Sequence, residues 1–376
     1  MLKLQLHDNG KHNNFAPLSL TRAIGNIRIG ILTNDERWKA LVSDVEIGYN
    51  TEDYLSSKFA KNGGVDVNAC AIPNQDLVEA VKQLKPGQGL LDENNNWLAG
   101  DMNSTDMITY SGEEVVIINN RWEIYQKNDL VLKADFELLT KGKVSNQLSS
   151  TNTIIGDPNL IFLEDGASVE AAILNAMNGP IYVGKDAEIM EGSIVRGPVA
   201  LCEHAALKMG AKVYGATTLG PHCKVGGEIN NVVFQAYSNK GHDGFLGNSV
   251  IGEWCNLGAD TNSSNLKNNY GTVKTYDYAS KSLIQTDVQF MGLMMGDHSK
   301  CGINTMFNTA TVVGVSSNVF GGDFPPKYIP SFSWGVDGTN YNFDKAMESA
   351  NNMMERRGKQ LSTDEIAILN HISDTE

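Results

Sequence analysis

From Val183 onward the chain repeats in sixes, VGKDAE, IMEGSI, VRGPVA, LCEHAA, LKMGAK, VYGATT, LGPHCK and VGGEIN, and every block opens on an apolar residue. With 41% hydrophobic residues in the chain, eight such openings in a row arise by chance about once in a thousand trials. The fifth positions hold Ala187, Ser193, Val199, Ala205, Ala211, Thr217, Cys223 and Ile229, mostly small side chains suited to a narrow interior. A helix cannot produce this pattern. Period six falls on no 3.6-residue stripe, and each repeated glycine would weaken a helix interior by about 1 kcal/mol relative to alanine. Six residues per flat side and three sides per coil instead predict a left-handed parallel β-helix whose stacked coils bury one apolar column. Phe245, Ile251 and Leu257 continue the openings, and Cys301, Phe307, Val313 and Val319 resume them with Thr305, Thr311 and Ser317 at the fifth position. Two stretches between these runs, 230–244 and 262–280, show no clear repeat. His204 and His222 stand one coil apart at the fourth position of their hexads, which predicts that they stack on one face.

The flanks read differently. Asn74 is placed to cap a helix that carries Leu77, Val78, Val81 and Leu84 on one side and ends at Pro86-Gly87. Val115-Val116-Ile117-Ile118 suits a buried strand, so residues 1–150 are expected to form an α/β domain. Residues 151–330 are expected to form the β-helix. Residues 331–376 should be helical, through Phe343 to Arg357 and then a last helix opened by the capping box Ser362-Thr363-Asp364-Glu365, and these helices would cap or trimerise the solenoid.

Composition narrows the chemistry. A formal net charge of −14 without a dense basic run argues against nucleic acid as a partner. Five cysteines (Cys70, Cys202, Cys223, Cys255, Cys301) with no C-x-x-C pair indicate neither a disulfide framework nor a thiolate zinc site. The N-terminal Met1 to Asp8 meets a charge too early for a signal peptide, and no apolar run is long enough for a bilayer, so the expected location is cytoplasmic with no membrane partner.

The segment Asn239-Lys240-Gly241-His242-Asp243-Gly244-Phe245-Leu246-Gly247, followed by Asn256-Leu257-Gly258-Ala259-Asp260-Thr261, resembles the acetyltransferase half of the bifunctional enzymes that form UDP-N-acetylglucosamine. Those enzymes carry G-H-x-x-(Y/F)-L-G with a catalytic histidine, then N-(I/L)-G-A-x-T and a further asparagine, here matched by His242, Asn256 and Asn265. Lys274 lies near the position of a family lysine that contacts the sugar phosphate. Residues 17–22 and 26–33 resemble a subgroup of sugar nucleotidyltransferases labelled glucose-1-phosphate thymidylyltransferase-like. The resemblance implies an α/β N-terminal nucleotidyltransferase-like domain plus a left-handed parallel β-helix of hexapeptide repeats with C-terminal helices. It implies a hexapeptide-repeat sugar-1-phosphate nucleotidyltransferase/acetyltransferase, with acetyl-CoA as acyl donor and a sugar phosphate as partner. It also implies a homotrimer, since family active sites lie between neighbouring solenoids, and one wall of this solenoid lacks the polar side chains of a solvated surface. The chain departs from the family at the G-x-G-T-R-(M/L) phosphate loop. Asp8-Asn9-Gly10-Lys11-His12-Asn13 has neither the glycines nor the arginine that hold a triphosphate, leaving Arg22 and Arg28 as nucleotide-binding candidates and making Mg2+ relevant only if this domain is active.

Amide formation on a sugar amine requires loss of an ammonium proton, and an imidazole, which titrates near neutral pH, can take it. His242 is the candidate base and His298 the alternative. Asn256 and Asn265 offer donors and acceptors to sugar hydroxyls, Phe245 belongs to the same segment, and Lys240, Lys267 and Lys274 are candidate cations for the phosphate. No metal is expected, because the H-x-x-x-x-H pair of β-helical carbonic anhydrases is missing. Three readings follow: an acyl-CoA-dependent N-acetyltransferase on an amino-sugar-1-phosphate, a sugar-1-phosphate nucleotidyltransferase of the glucose-1-phosphate thymidylyltransferase or N-acetylglucosamine-1-phosphate uridylyltransferase type, or a non-catalytic trimeric sugar-nucleotide sensor.

Overall fold

The computed structural model describes residues 1–375. In the N-terminal part, leucines alternate with polar residues along Leu2–His7, and the strand is two-faced as a result (β1). It pairs in parallel with β2 (Val45–Asn50) and β3 (Val65–Asn68). β4 (Gln88–Leu91), β5 (Trp97–Gly100) and β6 (Asp106–Thr109) complete a six-stranded sheet in the order β2-β1-β3-β5-β4-β6. Leu4, Leu6 and Val67 face a core that also takes in Phe15 of α1 (His12–Phe15), Trp38 of α2 (Asn34–Leu41) and Val78 of α3 (Gln75–Gln83). α3 starts as expected, with the Asn74 side chain accepting from Leu77 N. The expected strand at 115–118 is instead an extended segment held by residues 70–72, with Ile72 N donating to Val116 O and Ile118 N to Cys70 O. Too few of its backbone groups find partners to make a regular ladder.

The hexads fold as the period predicts, into a parallel β-solenoid of three walls. All eight opening residues from Val183 to Val225 and all eight fifth-position residues are at most 1% exposed. Successive coils pair at a spacing of eighteen, as in Ile181↔Val199↔Thr217 on the first wall, Glu188↔Ala206↔Lys224 on the second and Ile194↔Lys212 on the third. The second wall is an eight-stranded parallel sheet.

The first irregular stretch lies inside the solenoid. Its coil is shortened, since Lys224 pairs with Asn239 and Thr218 with Val233, fifteen residues on in each case. The spacing is also short on the third wall, sixteen from Lys212 to Glu228 and seventeen from Glu228 to Phe245, so Leu246 points inward where Phe245 was expected to, and Phe245 pairs on the outer side with Glu228. The second stretch leaves the solenoid between Asn262–Ser263 and Met294–Met295, forming an antiparallel hairpin of Lys274–Asp277 with Ser282–Gln285.

The apolar first wall is covered by the chain's own N-terminal part. Helix α4 (Glu123–Thr140) sets Leu132 and Phe136 against Phe162, Tyr182, Ala200 and Cys202, while Val233, Val250 and Met294 join the core of the N-terminal sheet. That wall therefore gives no support for a homotrimer. At the other end α5 (Phe343–Glu355) lies over the second wall and α6 (Thr363–Thr375) docks on the N-terminal part through Lys58–Glu365 at 2.8 Å and the stacked rings of Tyr54 and His371. The capping box forms, with Ser362 N donating to Glu365 Oε2 and Glu365 N to Ser362 Oγ. No helix among the described residues is long and apolar enough to cross a membrane.

Candidate functional site

His242 stands on the corner that joins the second wall to the third. Its side chain is exposed and makes no hydrogen bond among the described residues. The loop is fixed from inside. Lys240 occupies an inward-facing rung, paired in register with Val225, and is fully buried. Its Nζ donates to the carbonyls of His242 at 2.9 Å and Asp243 at 3.0 Å. Burial pulls the ammonium down to about 8, with Asp243 opposing that shift. Lys240 is thus not the surface cation expected for a sugar phosphate; the coil shortened to fifteen residues turned it into the interior opposite Val225, and two loop carbonyls satisfy it there.

Phe245 and Asn265 meet on the third wall next to this corner. Gly247 forms the floor between them, since a side chain there would meet Asn265 Nδ2 and Phe245 Cζ at 2.7 Å. Asn265 donates to Asn248 Oδ1 at 2.7 Å, and its own Oδ1 has no protein partner among the described residues. Phe245 N donates to Asn262 Oδ1, which locks the two coils in register.

Asn256 lies elsewhere. It is one coil below and three positions along the wall from His242, about 11 Å at ~3.3 Å per residue and ~4.8 Å per strand. It faces a cleft of about 600 Å³ between the second wall and α5, together with Lys224, Lys300, Arg356 and Arg357. Sequence reading missed these four cations. The doublet Arg356-Arg357 in so acidic a chain was the available signal, but the lysines reach it only through coil stacking. Lys267 donates to Thr272 O at 2.7 Å, and Lys274 is exposed on the hairpin. That excursion is tied to the N-terminal part by Arg121, which donates to Thr275 Oγ1 and Tyr276 O, and by Tyr125 Oη, which donates to Phe290 O.

The two arginines expected to hold a nucleotide are consumed at the junction with the solenoid. Arg22 is buried between Glu253, at 2.8 Å, and Asp297. Burial would lower its pKa, but the two carboxylates hold it above the ordinary value. Arg28 donates from its backbone to Gln235 Oε1 at 2.6 Å, from Nε to Gln235 O at 3.3 Å and from Nη1 to Glu36 at 3.0 Å. Both guanidinium groups are engaged by carboxylates, although Arg22 Nε is buried without a partner. The loop after β1 is likewise occupied, with Asp8 accepting from Ile24 N, Thr51 Oγ1 and the His12 ring. His298, the alternative base, is half-buried beside Asp297 with its Nδ1 buried and unpartnered, and desolvation depresses its pKa to about 4. His204 and His222 stack as expected, with ring centroids 4.7 Å apart, and Tyr237 and Trp254 extend the ladder at 4.8 and 4.2 Å.

Residues 4–144 match the family model described as sugar nucleotidyl transferase. The chain is similar to the bifunctional protein GlmU of Cyanothece sp., 21% identical over 357 residues that cover 88% of this chain and 70% of that protein. It is also similar to the bifunctional sugar-1-phosphate nucleotidylyltransferase/acetyltransferase of Sulfurisphaera tokodaii, 26% identical over 166 residues covering 44% of this chain and 40% of that one. A second GlmU, from Synechococcus elongatus, is 21% identical, and the chain spans 51% of its length. Among solved structures, the polySia-specific acetyltransferase NeuO is 12% identical with a TM-score of 0.23, covering 55% of this chain and 100% of that one. The expected relationship to the sugar-1-phosphate nucleotidyltransferases and acetyltransferases is shown by the family and relative matches.

Proposed function

We propose that this protein is an acyl-CoA-dependent N-acyltransferase acting on an amino-sugar phosphate, with His242 as general base. The observation that carries this reading is an exposed imidazole without a protein partner on a loop whose carbonyls are held from the interior by Lys240. A free ring on a fixed backbone can accept a proton without first giving up a structural bond. In the reaction, His242 takes a proton from the sugar ammonium and the amine nitrogen attacks the thioester carbonyl. The C–N bond forms, the C–S bond breaks, the departing thiolate receives the proton back from the imidazolium, and the second proton that the nitrogen loses on becoming an amide passes to water. Phe245 and the free oxygen of Asn265 would flank the sugar. Asn256 stands too far from this wall to share that task.

A neighbouring copy would close the open side of the third wall, where Ile155, Ile173 and Ile194 are each 38–46% exposed. This is the remaining physical support for a homotrimer, since the first wall is already covered. The N-terminal part acts in this reading as a structural arm and transfers no nucleotide. Purified protein with acetyl-CoA and glucosamine-1-phosphate should release free thiol. Magnesium-dependent pyrophosphate exchange with UTP or dTTP, in the absence of thiol release from any amino-sugar phosphate, would overturn the assignment.

A further inference from the structure

The cleft beneath α5 has a charge character opposite to that of the chain. Net charge is −14, yet Lys224, Lys300, Arg356 and Arg357 converge on one space of about 600 Å³. None of the four is ion-paired with a carboxylate among the described residues. The carboxylate felt by Lys224 is Glu188, two rungs up the same wall and about 10 Å away. Burial and then the charge of Arg357 hold Lys224 below the usual lysine range. Burial lowers Lys300 as well, and its Nζ spends one of three donors on the His298 carbonyl at 3.0 Å. Like charges gathered without a counter-charge raise the energy of the folded protein unless an anion joins them.

The arrangement indicates which anion. Lys224, Asn239, Asn256 and Lys300 occupy consecutive rungs in register, so the lysines stand roughly 14 Å apart with two amides between them. The guanidinium forks of Arg356 and Arg357, at the C-terminal end of α5, match phosphate oxygens in a bidentate geometry that an ammonium cannot offer. Tyr237 is sandwiched between His222 and Trp254, so it presents an edge and no free face for a nucleobase. The asparagine amides suit hydroxyls.

We propose that this cleft is a binding site for a sugar diphosphate ester, distinct from the His242 wall, in which the four cations hold the diphosphate and Asn239 and Asn256 face the sugar. Because the arginines belong to α5, the ligand ties the C-terminal helix to the solenoid. Calorimetry on the full chain, without any acyl donor, tests this with inorganic pyrophosphate and glucose 1-diphosphate, a sugar ester without a nucleobase, as probes. Both should bind, the sugar ester more tightly. Arg356→Gln with Arg357→Gln should weaken binding about tenfold or more. Lys224→Gln, on the solenoid itself, should also weaken it without detaching α5, and His242→Ala should leave it unchanged. Absence of heat from both probes at millimolar concentration, or equal affinity in the arginine double variant, would overturn the site. Pyrophosphate binding with no gain from the sugar ester would overturn the role given to the asparagines. Since no acyl transfer is measured, failure of the N-acyltransferase reading leaves these outcomes unaffected.

Discussion

The N-terminal sheet and the solenoid treat their polar side chains in opposite ways. In the N-terminal part the charged groups that could serve a ligand are spent on the protein itself. Arg37 grips Asp135 through two bonds of 2.7 Å, Arg22 spans Glu253 and Asp297, Arg28 clasps Gln235, and Asp8 gathers three loop donors. On the solenoid the backbone satisfies itself by stacking, so a wall residue is free to point at solvent. His242, Asn265 and the cations under α5 keep donors or acceptors in reserve. A group whose hydrogen-bonding capacity is filled by the fold has become structure, and chemistry is to be sought where the fold leaves capacity over.

The largest effect should come from breaking the spent network. Asp135→Ala leaves the Arg37 guanidinium, 2% exposed, without its carboxylate and also strips acceptors from Ile31 N and Leu32 N. Urea unfolding should show a loss of about 3–5 kcal/mol. A loss under about 1 kcal/mol would mean that the arginine finds other partners and the contrast between the two regions is overstated. His242→Ala probes the other side of the comparison. It should lower kcat for acyl transfer about 10²–10⁴-fold while leaving the unfolding midpoint unchanged. A drop in stability of several kcal/mol would show that His242 too has become structure.

Acid should separate the two regions before it unfolds either. His298 is neutral when folded because burial lowers its pKa to about 4 from the ordinary 6.5, so its contribution to stability is present above about 6.5 and lost as pH falls through 4. For Glu253, burial alone would raise the pKa, but Arg22 draws it down to about 2 from the ordinary 4.5. Its contribution is present above about 4.5 and lost as pH falls through 2. Urea midpoints should therefore decline in two stages on acidification, and Glu253→Gln should remove only the lower stage. An unaltered acid profile in that variant would refute the role given to the junction. The smallest effect on folding is expected from Ile173→Ser with Ile194→Ser, both on the exposed third wall. Each should change stability by about 0.5 kcal/mol or less, yet the pair should shift the mass measured by light scattering from trimer to monomer. A wild-type monomer at micromolar concentration would remove the neighbouring copy from the proposed site.

Period and composition determined much by themselves. Eight apolar openings with mostly small fifth positions were enough for the solenoid and the stacking of His204 on His222, and local motifs were enough for the caps at Asn74 and Ser362, because each depends on contacts at a fixed sequence spacing. The segment around His242, with Asn265, stood out for a different reason, its resemblance to the acetyltransferase half of the bifunctional enzymes, since it falls where the repeat is interrupted. Tertiary structure alone decided the rest. Coils three residues short at Lys240 and one short at Phe245 turned the first inward and the second outward, since register in a parallel stack is set by the partner strand and an odd shift reverses the face. The N-terminal part folded back onto the apolar wall and drew Arg22 and Arg28 into its contacts with residues more than 200 positions away. The cleft joining Lys224 and Lys300 to Arg356 and Arg357 exists only because α5 returns to lie over the second wall. No local pattern encodes such meetings, because their energy comes from burial and charge between segments whose distance is set by the whole fold.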